Sequence, residues 1–259
     1  MSVFVLILGS ILFAQSASPG YRAYQRANDL FLKQQFPASL DAVEEALRLD
    51  AKLVPALTLR AKLAMAANRT DLARADLERA VAIDAKSAYA QFLLGLVLYQ
   101  LNELRLALPP LEAASKLTPK DPRAPLYLGL CQESLGDADA AAALYEKAIR
   151  LEEAAGQPQA ETYLIAARLQ FLLDHVDAAE KLVQKAIRRN AASREAHFEY
   201  ARIAAHGRRF DLAVREANLA LTLPRTETTD QQIHALLARS YQALGDSSNA
   251  ARHAQAARE

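Results

Sequence analysis

The chain has 259 residues, 52% of them hydrophobic and 24% charged, a balance that belongs to folded chains and excludes a disordered one. Its 31 Lys and Arg offset 30 Asp and Glu to a net charge of +1, so no field of one sign draws the whole chain to nucleic acid or an anionic membrane. Ala, Leu, Arg, Glu and Gln dominate, all good helix formers, and there are no strand-like runs after residue 20.

The first segment differs from the rest. Val3 to Ala14 (VFVLILGSILFA) is an uncharged, mostly apolar run, followed by Gln15, Ser16, Ala17, Ser18 and Pro19-Gly20. A short apolar core followed by small residues reads as a secretory signal over 1–19, with Ala14 and Ser16 three and one positions before a cut. No Lys or Arg precedes the run. It is too short for a comfortable membrane span, which takes about 20 apolar residues. The expected destination is therefore periplasmic or secreted. An uncleaved segment would instead tether the chain to a membrane through residues 3–14. No cysteine follows the run, so a lipoprotein-type anchor is not expected.

From residue 20 onwards one pattern recurs. Three small residues stand 12 and 7 apart, first as Ala27, Ser39 and Ala46, then as Ala61, Ala73 and Ala80. The set returns at Gly95, Ala107 and Ala114, at Gly129, Ala141 and Ala148, and at Ala167, Ala179 and Ala186. It closes with Ala201, Ala213 and Ala220, then Ala238, Ala250 and Ala257. Every one of these 21 positions is Ala, Gly or Ser. Larger apolar residues surround them at helical spacing, such as Leu94, Leu98, Leu111 and Leu117. A unit of 34 residues thus holds two antiparallel helices, A and B, whose backbones approach closely where only small side chains fit. Asn68, Asn102, Gly136, Gly207 and Gly245 stand at the A-to-B turns as helix stops, and Pro119 ends the third unit.

These residues resemble the tetratricopeptide repeat family, and the third unit, AYAQFLLGLVLYQLNELRLALPPLEAASKLTPKD, matches it best. The repeats fall at 20–53, 54–87, 88–121, 122–155, 160–193, 194–227 and 231–259, with inserts at Gly156 to Gln159 and Thr228 to Asp230. The sequence departs from the family where Arg26 and Arg60 replace a preferred Leu, and where Ala51, Ala85 and Ala191 replace a closing Pro. The resemblance implies an all-α fold: an α-solenoid of about seven helix-turn-helix repeats in a right-handed superhelix, each repeat touching only its neighbours. It also implies that the A helices line a concave ligand groove.

Carrying the family's groove positions over residue by residue gives Tyr24, Asn28 and Phe31 in the first repeat and Lys62 in the second. The third gives Tyr89, Phe92, Leu96 and Tyr99, and the fourth Leu126 and Leu130. The fifth gives Arg168 and Phe171, the sixth Arg202 and the seventh Arg239. The expected groove is apolar and aromatic in its middle, with a ladder of three arginines in its C-terminal half. Such a surface suits a protein or peptide partner with apolar anchors and acidic groups. Against this stands a structural reading in which Glu161 and Glu195, seven residues before Arg168 and Arg202, pair with those arginines. The family's two-carboxylate clamp for chaperone tails is absent, since Tyr24 and Lys62 stand where it needs Lys and Asn.

Nothing in the sequence points to catalysis. Cys131, the single cysteine, is expected mid-helix beside Leu128 and Leu135 as a small buried side chain. His175, His197, His206, His234 and His253 have no metal-ligand spacing, and His197 and His234 share a packing position of the repeat. No Gly-rich phosphate loop and no Gly-flanked nucleophilic Ser is present. The pairs Glu44-Glu45 and Glu152-Glu153 read as solvent-facing or junction residues, and Arg188-Arg189 and Arg208-Arg209 are too sparse for a nucleic-acid track. The expectation is a non-enzymatic, cofactor-free, exported scaffold or adaptor. The alternative is a structural subunit of an envelope or secretion assembly, packing through its ends or convex face. The short, Ala-rich last helix would then support self-association.

Overall fold

The computed structural model describes residues 18–259, so the leader-like run at 3–14 lies outside the described residues. Among the described residues there are fourteen α-helices and no strand. They divide into two compact units, one ending at Leu117 and one running Thr118–Glu259. The first holds α1 (Pro19–Leu32) with α2 (Phe36–Leu49), α3 (Val54–Ala66) with α4 (Thr70–Ile83), and α5 (Ala88–Gln100) with α6 (Leu104–Leu117). The second holds α7 (Arg123–Ser134) with α8 (Ala138–Ala154) and α9 (Ala160–Leu172) with α10 (Val176–Arg189). It continues with α11 (Arg194–His206) and α12 (Phe210–Thr222), then α13 (Asp230–Ala243) and α14 (Ser247–Ala256). Each odd helix packs on the even helix after it, and within a unit odd helices also touch, α1 on α3, α3 on α5, α9 on α11 and α11 on α13. The result in each unit is an all-α solenoid with a layer of A helices and a layer of B helices.

The small residues sit where these layers close. Eighteen of the 21 are buried. A Cβ added at Gly95 would lie 2.4 Å from Leu111 Cγ, and one added at Gly129 would lie 2.5 Å from Tyr145 Cε1. Those two glycines let large side chains from the B helix press against the A backbone. Ala238, Ala250 and Ala257 are partly exposed, because no described helix packs beyond α14.

Every A-to-B turn uses one residue in the left-handed region, two positions past the end of the A helix: Gln34, Asn68, Asn102, Gly136, Asp174, Arg208 and Gly245. Gly207, expected to fill this role, does not; it caps α11 at φ −75, and Arg208 takes φ +58. The turn geometry is set by the distance from the helix end, and the glycine lies one position early. A non-glycine there is strained by about 1 kcal/mol. Arg208→Gly is therefore expected to raise the unfolding free energy by about 0.5–1 kcal/mol, read as a higher urea midpoint. An unchanged or lower midpoint would contradict the assignment.

Junctions between repeats share a second local device. The side chains of Asp50, Asp84, Asp121 and Asn190 each accept a hydrogen bond from the backbone N–H two residues on, at 2.9–3.1 Å. These turns redirect the chain from a B helix to the next A helix. The two inserts are held differently. At the first, the buried Glu152 carboxylate accepts from Gln159 N–H at 3.0 Å and Thr162 Oγ1 at 2.7 Å, satisfying the start of α9. Glu152 is thus a junction residue with no solvent-facing role, while its neighbour Glu153 accepts from Tyr163 and Lys185. At the second insert Arg194, 1% exposed, donates to the carbonyls of Ala220, Leu223 and Thr228 and to Asp230. For Glu152, expected at a solvent face or a repeat junction, burial decides for the junction.

Candidate functional site

In the first unit, the A-helix face gathers aromatic side chains around one cation. Tyr24 and Phe31 come from α1, Lys62 from α3 and Tyr89 from α5, at four different positions of the 34-residue repeat. Lys62 Nζ lies 4.2 Å from the Phe31 ring centre and 5.9 Å from that of Tyr89. Tyr24 packs on Tyr21 with ring centres 5.6 Å apart, and burial, then the neighbouring Tyr21 and Tyr89, hold its hydroxyl above the ordinary tyrosine range. Asn28, Leu96 and Tyr99 are half-buried on the same helices. Phe92 is not a surface residue: at 7% exposure it belongs to the packed interior, as does the hydrophobic neighbourhood Leu93 and Leu94. The face is thus aromatic at its edge, with α5 buried around much of its circumference.

A larger concavity of about 680 Å³ opens elsewhere in this unit, between α2, α3 and α4. Phe36, Leu40, Leu63 and Leu72 line it, and Arg60 makes a bidentate ion pair with the buried Asp76 at 2.6 and 2.7 Å. None of the sequence-derived groove residues lines it. Its counterpart in the second unit is lined by Lys181 and Lys185, and measures about 390 Å³. Ala75 holds the repeat position that Lys181 takes three repeats later, which leaves more open space in the earlier copy.

In the second unit Leu126 and Leu130 of α7 are half-buried and pack against the core formed with Tyr163 and Leu164. The arginines gather further along. Arg168 Nε donates to Glu199 at 3.0 Å, and Arg202 Nη1 donates to the other oxygen of the same carboxylate at 2.7 Å. Glu199 is 5% exposed, so this bridge is a buried anchor. The expected partners Glu161 and Glu195 do not play this part. Glu199 lies one helical turn before Arg202 on α11 and faces α9, a relation that needs the contact between A helices. Arg202 also lies 5.4 Å over the Phe171 ring, and His206 meets that ring edge-on at 5.3 Å. Arg239, exposed on α13, donates only to the Ala235 carbonyl of its own helix, at 3.3 Å.

Between these side chains lies a cavity of about 340 Å³. Phe171, Phe210 and Leu236 make its apolar lining, and Arg202, His206 and Arg239 supply its polar groups. Glu199 is shared between Arg168 and Arg202, Arg239 is in no ion pair among the described residues, and Asp174 lies 3.4 Å from His206, so the cavity wall carries net positive charge. Such a site offers guanidinium donors to carboxylates or carbonyls above a small apolar floor.

Two further buried titratable groups, Cys131 and His197, sit in the packed interior. Cys131 is fully buried and burial pushes its thiol up to about 11, so it stays protonated and unreactive at neutral pH. The buried His197 meets Glu216 at 2.8 Å and the Ala191 carbonyl at 3.1 Å, which ties α11 to α12 and to the preceding junction. Among the described residues no group of three or more His, Cys, Asp or Glu is placed to hold a metal, and no helix is long and apolar enough to cross a membrane.

A family model described as tetratricopeptide repeat matches residues 58–122, 92–158 and 164–227, more than half of the chain. The chain belongs to the tetratricopeptide repeat family. Solved structures agree on the fold. This tetratricopeptide repeat chain is similar to the crystal structure of MamA, at 25% identity and a TM-score of 0.58, over 64% of this chain and 94% of that one. It is also similar to YrrB, described as a tetratricopeptide repeat protein with an unusual peptide-binding site, at 21% identity and a TM-score of 0.59, over 70% and 92%. A tetratricopeptide repeat protein from Parabacteroides merdae aligns over 92% of both chains, at 14% identity and a TM-score of 0.66. No curated protein matches.

Proposed function

We propose that this chain is a non-catalytic scaffold that holds a protein or peptide partner on the A-helix face of its second unit. The occupant is a segment with an apolar anchor flanked by acidic groups. The observation that carries this reading is the cavity where Arg202, Arg239 and His206 surround Phe171, Phe210 and Leu236. An apolar side chain fills its floor while carboxylates meet the guanidinium groups, the arrangement expected of a groove that recognises alternate anchors. The likeness to YrrB, whose description names a peptide-binding site, supports a peptide as the occupant. The apolar run at 3–14 followed by small residues supports work outside the cytoplasm, after export.

The arginine ladder divides by role. Arg168 and Arg202 hold the buried Glu199, so reversing either disturbs folding as well as binding. Arg239 has no ion pair to lose and reports on binding alone. Residues 20–259 used as bait on an envelope fraction should retain a partner that the Arg239→Glu bait loses. With the partner identified, calorimetry should show affinity lower by tenfold or more, the effect of removing a roughly 1.5–3 kcal/mol charged hydrogen bond and adding a like charge. Equal retention by both baits would move binding off this face and favour a structural assembly subunit.

A further inference from the structure

The last helix is held by an unusual contact. His234 Nδ1 on α13 and His253 Nδ1 on α14 lie 2.9 Å apart. His253 is the one buried side chain of α14, and the Tyr241 ring stacks on it at 5.5 Å and 5°. The polar chain has a definite order. Arg252 Nη2 lies 3.4 Å from His253 Nε2, and a guanidinium can only donate, so that nitrogen accepts. The proton of a neutral His253 then sits on Nδ1 and is donated to Nδ1 of His234, whose own proton must sit on Nε2. This tautomer assignment follows from the hydrogen-bond geometry. Both remaining acceptor nitrogens, His253 Nε2 and His234 Nδ1, are already facing an N–H donor. A proton added at His234 Nδ1 sets two donors against each other between the helices, and one added at His253 Nε2 sets two donors against each other at Arg252 and leaves a buried cation beside the guanidinium.

The surroundings do not compensate for an added charge. His234 and Tyr241 face His253 from α13, and Arg252 approaches from its own helix. Asp246, at the start of α14, is bonded to Asn249. On α12, which packs on α13, Glu216 is engaged by His197 and Arg215. Among the described residues no carboxylate lies within ion-pair distance of either imidazole. Burial, then His234 and Arg252, lower the basicity of His253 from its ordinary 6.5. For a base held neutral in the fold, the stabilisation is complete above 6.5 and is lost as pH falls through that value and below it.

We propose that the His234–His253 pair is an acid-sensitive latch: protonation releases α14 from α13 and loosens the wall that carries Leu236, Arg239 and Ser240. This rests on the reading of that cavity as the binding site. A neutral environment keeps the wall in place and the partner bound. An acidic one frees it.

The test follows two signals in residues 20–259 from pH 7.5 to 5.5. One is the hydrogen-exchange protection factor of α14 amides. The other is the affinity for a fluorescent acidic peptide carrying one Leu and one Phe. The expected result is loss of protection in α14 and a roughly five- to tenfold loss of affinity, with a shared midpoint. His253→Gln keeps a donor and an acceptor without titrating, and should make both signals flat. If that variant fails to order α14 at neutral pH, His253→Asn, which also keeps a donor and an acceptor, takes its place. Protection of α14 that persists at pH 5.5 overturns the latch, and so does release of α14 with unchanged affinity. A peptide that does not bind at pH 7.5 overturns the reading of the cavity, while the protection factors still decide whether the latch exists.

Discussion

Arg194→Met should lower the unfolding free energy by about 3–5 kcal/mol, the largest single-residue loss expected outside the apolar core. Methionine preserves most of the volume, so the loss isolates the polar contacts. Arg194 is 1% exposed and its guanidinium donates to three backbone carbonyls, at 2.9 Å to Thr228, 3.2 Å to Ala220 and 3.1 Å to Leu223, and to Asp230. Without it the Leu223 and Thr228 carbonyls lose the donor that reaches them, while Ala220 keeps the Leu223 N–H at 3.2 Å. Each buried unsatisfied acceptor costs about 1–3 kcal/mol, moderated where water enters the loop. Asp230 retains Arg225, an exposed partner that compensates little. Urea unfolding gives the magnitude, and hydrogen exchange should place the earliest opening at 223–230. A loss below about 1 kcal/mol would show that the insert carries its own order.

Gly129→Ala is the second. A Cβ there would meet Tyr145 Cε1 at 2.5 Å and Cδ1 at 2.6 Å. The ring is fully buried and its hydroxyl is bonded to Glu133, so it has nowhere to move. Overpacking of this kind costs about 1–3 kcal/mol, against a helix-propensity gain of about 1 kcal/mol for Gly to Ala. The overpacking exceeds the gain, and the variant should unfold at lower urea. Alanine occupies the equivalent place in the seventh repeat, Ala238, where the site is only partly buried. Ala238→Ser should change the midpoint by less than about 0.5 kcal/mol. Stabilisation by Gly129→Ala would mean that α7 and α8 sit further apart than described.

The candidate site was partly legible. The periodic register placed Arg168, Arg202 and Arg239 at one position of successive A helices, and Phe171 beside them. It could not distinguish an arginine that holds the fold from one that is free to bind. Arg168 and Arg202 share Glu199 because α9 packs on α11, a contact between residues 31 positions apart. Nor did it separate Phe92, buried at 7%, from Tyr89, 42% exposed three residues earlier on α5. Both fit a groove position by number. Exposure depends on how far α5 sinks between its neighbours.

The repeat architecture needed no coordinates, because backbone contact between packed helices admits only small side chains, and that steric rule writes Ala, Gly or Ser at the same spacing in each copy. Helix pairing and turn location follow from it. Other features depend on distant groups. A proline inside a helix usually breaks it, at a cost of about 3 kcal/mol, yet α6 continues through Pro109 and Pro110 while Ala107, Leu111 and Ala114 are buried around them. Arg194 and Glu152 become buried only when the inserts fold over them. His234 and His253, 19 residues apart, become one hydrogen-bonded unit only when α14 returns along α13. Local sterics repeat with the sequence period. Buried charge does not, because its partner is chosen by what the fold brings near and leaves without water.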